Sequence, residues 1–120
     1  MDDGYQPAAR TWRRKFRDAF RGAWLALRGQ RSMRVHVVAA AGVVLAGWLL
    51  DVRAWQACVL SLCITLVLVV ELLNTALERL AKAVARGQNE HVRDALDVSS
   101  AAVLAAAGGA VVVGIVVLLF

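Results

Sequence analysis

Glu71, Asn74 and Glu78 carry the clearest chemical signal in the sequence. They lie in the run Val69-Val70-Glu71-Leu72-Leu73-Asn74-Thr75-Ala76-Leu77-Glu78. At spacings i, i+3 and i+7 they form a narrow stripe along one side of a helix. Glu71 follows seventeen residues without a charge, Ala54 to Val70, so it is placed at or just inside a membrane boundary. An ionisable group there is costly and is a functional candidate by default. A solvated helix end would account for Glu78 alone, but not for Glu71 and Asn74 on the same face. Two carboxylates and an amide suit Mg²⁺, which takes oxygen ligands and completes its shell with phosphate and water. A partly desolvated carboxylate also suits the abstraction of a proton from a hydroxyl. Asp94, Asp97, Ser99 and Ser100 open the next apolar stretch. Asp97 is expected to cap that helix and to return a carboxylate to the face from which Glu71 and Glu78 project.

Other chemistries find little support. Cys58 and Cys63 are five residues apart in an apolar run, fall on different helix faces and are read as small packing residues. His36 and His91 have no partner at metal-ligand spacing and are read as structural or solvated. No glycine-rich phosphate loop of the P-loop or Rossmann type is present.

The elements that must position these residues follow from composition. The 120 residues are 60% hydrophobic with a formal net charge of +5, which excludes a disordered chain. Two cysteines exclude a disulfide scaffold. The apolar residues run continuously, which argues against a soluble globular domain. A single membrane domain over 1–120 is expected, without room for a separate soluble catalytic module. The polar residues 1–9 read as frayed. Over 10–31, Trp12, Phe16, Phe20, Ala23, Trp24 and Leu27 share one side and Arg14, Arg17, Arg21 and Arg28 lie largely on another. That pattern predicts an amphipathic helix in the membrane interface. No small-residue cleavage pattern before a soluble domain supports a signal peptide.

Three transmembrane helices are expected at 33–50, 54–77 and 97–120, since a hydrocarbon core of about 30 Å needs roughly 20 helical residues. The first is slightly short and needs Met33 and a snorkelling Arg34. Nine of the fourteen Lys and Arg residues precede residue 35, and four more lie between spans two and three. This bias predicts a cytoplasmic N-terminus and an external C-terminus. Trp48 and Trp55 flank the short link at the far side, where an aromatic belt would sit. Small residues recur every four positions at Ala101, Ala105 and Gly109, and at Ala102, Ala106 and Ala110, which predicts close helix association and self-assembly. The fold class is therefore all-α integral membrane, and no nucleic-acid partner is expected.

Three segments taken together resemble a known family. They are Gln30-Arg31-Ser32-Met33-Arg34-Val35-His36, the Glu-x-x-Asn-x-x-x-Glu stretch at 71–78, and Asp97-Val98-Ser99-Ser100-Ala101-Ala102-Val103-Leu104. The chain resembles the small prokaryotic membrane kinases of the diacylglycerol kinase and undecaprenol kinase family from about Arg14 onward. The resemblance implies a helical-bundle homotrimer of three-span protomers in the inner (plasma) membrane, transferring the ATP γ-phosphate to a lipid hydroxyl with Mg²⁺. By position, it makes Glu71 the general base and Glu78 a ligand of Mg²⁺ and ATP. Asn74 and Asp97 match nucleotide-side positions, Gln30 a metal-binding one, and Arg34 and Ser100 positions near the lipid. Three positions depart from the family. Gln30 stands where a glutamate is usual, Lys82 where an aspartate is common, and Leu96 where a lysine precedes the last aspartate. Arg93, one helical turn earlier, and Arg86 are the candidate substitutes for that lysine, and the sequence does not choose between replacement and loss. These departures raise an alternative, a weakened or inactive relative that binds lipid or a partner. The Arg31–His36 stretch leans towards the undecaprenol kinase branch and the Ser99–Leu104 stretch towards the diacylglycerol kinase branch.

Overall fold

The computed structural model describes Gly4 and residues 9–85 and 87–120. Most of residues 1–9, and Arg86 as a substitute cation, lie outside the described residues. Among those described there are four helices: α1 (Trp12–Gly29), α2 (Arg31–Leu49), α3 (Ala54–Val84) and α4 (Glu90–Leu119).

Thr11 caps α1, its hydroxyl accepting from the Arg14 N–H. Trp12, Phe16, Phe20 and Trp24 stay exposed along the helix. Arg10 Nη1 hydrogen-bonds Asp18 Oδ2 at 3.0 Å, and that bond holds the Asp18 carboxyl below its ordinary range. At an exposed site such a pair contributes little stability. Gln30 closes α1 and opens α2 in one extended residue. Arg34 folds back across this corner and donates to the carbonyls of Leu27 (3.2 Å) and Arg28 (2.8 Å). It thereby satisfies two of the acceptors that the end of α1 leaves open.

α2, α3 and α4 are each long and apolar enough to cross a membrane. α2 ends in a Schellman turn: the N–H of Val52 bonds the Gly47 carbonyl at 3.1 Å and that of Asp51 bonds Trp48 at 3.2 Å. Asp51 takes φ 50° there, a left-handed conformation that glycine adopts at lower cost. Asp51→Gly is accordingly expected to stabilise the fold by about 0.5–1 kcal/mol, read as a higher Tm in detergent.

The helices extend past the apolar stretches that announced them. α3 has 31 residues, about 46 Å at 1.5 Å per residue, against a hydrocarbon core of about 30 Å. Its last turns, with Glu78, Arg79 and Lys82, therefore stand clear of the core. The helical backbone continues wherever neighbouring helices or water satisfy it, so hydropathy does not mark its end. α4 likewise starts at Glu90, where Asn89 Oδ1 accepts from the N–H groups of His91 and Val92. Asp97 is thus not a helix cap; it lies seven residues inside α4.

α4 packs chiefly on α3, α2 on α3, and α1 on the corner where α2 begins. Burial differs from that of a water-soluble bundle, since nearly as many polar as apolar side chains are buried among the described residues. Glu71, Asn74, Thr75 and Ser99 are buried, while Val38, Leu62, Val98 and Leu104 are all at least 70% exposed. In hydrocarbon, apolar side chains gain nothing by facing inward, whereas polar ones must find partners inside.

Candidate active site

Three helices converge on one end of the bundle. Glu71 lies seventeen residues along α3 from Ala54, about 26 Å from the opposite end of the helix. That distance is close to the thickness of a hydrocarbon core, about 30 Å. The Glu71 side chain is turned into the protein and is 1% exposed. From α2, Ser32 Oγ donates to Glu71 Oε1. His36, one turn further along α2, brings Nε2 to 3.7 Å from Glu71 Oε2. Within α3, Thr75 Oγ1 donates to the Glu71 carbonyl at 3.0 Å, so its hydroxyl is satisfied within its own helix.

Asn74 joins this carboxylate region to the next turn. It accepts from Ser99 Oγ of α4 at 2.7 Å and donates through Nδ2 to Glu78 Oε1 at 3.2 Å. The amide group is therefore fixed at both ends, and it in turn fixes Glu78, which is partly exposed. The predicted stripe is real and graded: Glu71 and Asn74 are buried, and Glu78 reaches towards the surface. One end offers a desolvated base, the other a carboxylate accessible to a cation and its phosphate ligands.

The corner between α1 and α2 closes the site from the side. Gly29 lies against Arg79, where a β-carbon on Gly29 would meet Nη2 at 3.5 Å. Gln30, next in sequence, is half-buried. Arg34 is exposed and engaged with the α1 carbonyls.

Asp97 is not on the face expected for it. Ser99 points at α3, and two residues earlier is about 200° around an α-helix. Asp97 is exposed on the far side of α4, so within one chain it does not join Glu71 and Glu78. Ser100 is also exposed. Leu96, three residues before Ser99 and on the same side, is half-buried at the level of Glu78. Arg93 stands beside Glu90 (3.9 Å) and Asp94 (3.7 Å).

Among the described residues no three His, Cys, Asp or Glu side chains form a metal cage by themselves. The donor set nevertheless fits Mg²⁺ brought in with a triphosphate. Glu78 offers a partly exposed carboxylate, and phosphates and water would supply the remaining oxygens.

Three contributors escaped the sequence reading: Ser32, His36 and Thr75. Ser32 and His36 are four apart on α2 and share a face. His36 was the one polar break in the first apolar stretch, and that was the available signal. Thr75 gave none, since hydroxyls are tolerated throughout apolar helices.

The profile of the family described as prokaryotic diacylglycerol kinase matches residues 17–118. A diacylglycerol kinase of Synechocystis sp. is 40% identical over 100 residues, covering 82% of this chain. The chain spans little more than half of that relative, 57% of its length.

Proposed function

The chain belongs to the prokaryotic diacylglycerol kinase family, and from that premise we propose that it is an ATP-dependent lipid kinase. It transfers the γ-phosphate to the hydroxyl of a membrane lipid alcohol, diacylglycerol or undecaprenol. The observation that carries this reading is Glu71, a buried carboxylate with one oxygen free, coupled through the Asn74 turn to the more accessible Glu78. Phosphoryl transfer asks mainly for positioning and charge neutralisation; Glu71 and Asn74 serve the first, and Mg²⁺ held at Glu78 would serve the second. A lipid hydroxyl arrives at the depth of Glu71, while ATP approaches from water at Glu78.

In this reading Glu71 takes the hydroxyl proton and Ser32 fixes the carboxylate that receives it. Glu78 and Gln30 hold Mg²⁺, which neutralises phosphate charge when bound. Asn74 orients Glu78. Arg34 and Ser100 border the lipid, and Asp97 serves the nucleotide side of a neighbouring copy, since it faces outward in its own chain. The protein works as a homotrimer in the inner membrane. The Arg-rich ends and α1 lie at the cytoplasmic face and the C-terminus lies outside, in keeping with the cation bias. The exposed Ala101, Ala105 and Gly109 stripe offers a close-packing surface between copies.

The test is phosphorylation of lipid alcohols by purified protein in mixed micelles with Mg-ATP and labelled γ-phosphate. Labelled phosphatidic acid or undecaprenyl phosphate is the expected product; no labelled lipid from any alcohol tried would remove the kinase reading. Gln30→Glu is expected to tighten Mg-ATP about tenfold in KM, roughly 1.4 kcal/mol, because it restores a negative charge to that site. An unchanged KM would take Gln30 out of the metal site.

A further inference from the structure

Glu71 uses only half of its carboxylate within the fold. Oε1 accepts from Ser32, whereas Oε2 is buried and accepts no hydrogen bond among the described residues. A buried polar atom kept without a partner calls for one that arrives from outside. His36 Nε2 lies 3.7 Å from Oε2, and the imidazole is still 20% exposed. That distance is too long for a hydrogen bond between the two, yet it suits two atoms that share a third. One and the same third oxygen can lie about 2.8 Å from each; admitting it requires the His36 ring to turn, because Oε2 has no accessible surface as the helices stand.

A second observation points to what supplies that oxygen. His36 heads an apolar groove of about 470 Å³ between α2, α3 and α4, which runs past Val43 and Val67 to Leu118. No other residue lining it has a strong hydrogen-bonding side chain; Cys63 is the nearest to an exception. A hydrocarbon chain in this groove has one place to put a polar end, the notch between His36 and Glu71. At 3.7 Å the two side chains do not hydrogen-bond each other, and a contact between them alone would not account for a groove that begins at His36.

We infer that His36 is a further substrate-contacting residue of this site. Its Nε2–H fixes the oxygen of a lipid alcohol whose hydroxyl hydrogen points at Glu71 Oε2 and whose chain lies in the groove. The inference rests on the kinase reading above. In the transfer step the alcohol O–H bond breaks and the proton passes to Oε2. The alcohol oxygen forms its bond to the γ-phosphorus, the bond from that phosphorus to the β-phosphate oxygen breaks, and ADP leaves. The imidazole keeps its own proton and holds the nucleophile in line, a positioning effect of the kind on which such reactions depend.

Two measurements test this, one of them independent of turnover. The chain has two histidines, His36 and His91, so its side-chain ¹⁵N spectrum contains two imidazoles. Dodecan-1-ol added to the protein in micelles is expected to shift the His36 Nε2 resonance, whereas dodecane, which offers no oxygen to Nε2–H, is not, and His91 should respond to neither. In kinetics, His36→Leu is expected to lower lipid phosphorylation about 100-fold, the scale of one lost oriented donor, with KM for Mg-ATP within about twofold of the parent. His36→Gln, whose amide nitrogen replaces Nε2, should recover most of that loss. Equal shifts from dodecan-1-ol and dodecane, or a His36→Gln enzyme as impaired as His36→Leu, would overturn the role of His36 while leaving the kinase reading intact. A hydroxyl-dependent His36 shift in a protein that phosphorylates no lipid would uphold the hydroxyl notch and remove only the kinase reading.

Discussion

Glu71→Gln is expected to abolish lipid phosphorylation, lowering kcat by about 10²–10⁴-fold, the range that a positioned general base contributes. The substitution is nearly isosteric. Ser32 can still donate to the carbonyl oxygen of the new amide, so the α2–α3 contact survives. What disappears is the free, buried oxygen able to accept a proton. Stability should move the other way. A carboxylate held at 1% exposure bears a desolvation cost that a neutral amide does not, so Tm is expected to hold or rise. Loss of activity with retained or increased stability is the signature of a strained functional group. A variant that keeps parental kcat, or one that unfolds, would show that Glu71 is structural.

Asn74→Ala is expected to act differently, through two partners at once. Ser99 loses its acceptor and Glu78 loses its donor. Hydrogen bonds between helices in a membrane are worth about 0.6–2 kcal/mol, so the bundle should remain folded. A hydrogen bond to a charged group is worth about 1.5–3 kcal/mol, and Glu78 without it loses its fixed geometry. The expected outcome is a rise of about 10–100-fold in KM for Mg-ATP, with the lipid KM much less affected. Ser99→Ala keeps the Asn74–Glu78 bond and should show only a severalfold effect. Should Ser99→Ala prove as damaging as Asn74→Ala, the relevant bond would be the one that ties α4 to α3, and Glu78 would not be the residue that Asn74 serves.

Much of the site was legible without coordinates because it lies on one helix. A period of 3.6 residues places Glu71, Asn74 and Glu78 together whatever else the chain does. The same holds for the three apolar stretches, whose length against a bilayer thickness requires helices. Helix ends were less legible: apolarity stops where lipid stops, but backbone hydrogen bonding does not. The Asn89 cap and the extension of α3 to Val84 therefore appear only in the structure.

By itself, the sequence determined that the molecule has three membrane-length helices, a basic aromatic segment before them, and one polar stripe where an apolar run ends. These are properties of single segments, set by hydrophobicity and helical geometry. The tertiary structure alone decided which side chains meet across helices. It put Ser32 and His36 on opposite oxygens of Glu71, made Asn74 the link between Ser99 and Glu78, and turned Asp97 away from all of them. The rotation of each helix about its axis is fixed by the partners available to its few polar groups in an apolar surround. Those partners lie 25 to 39 residues away in the chain, beyond the reach of any local pattern.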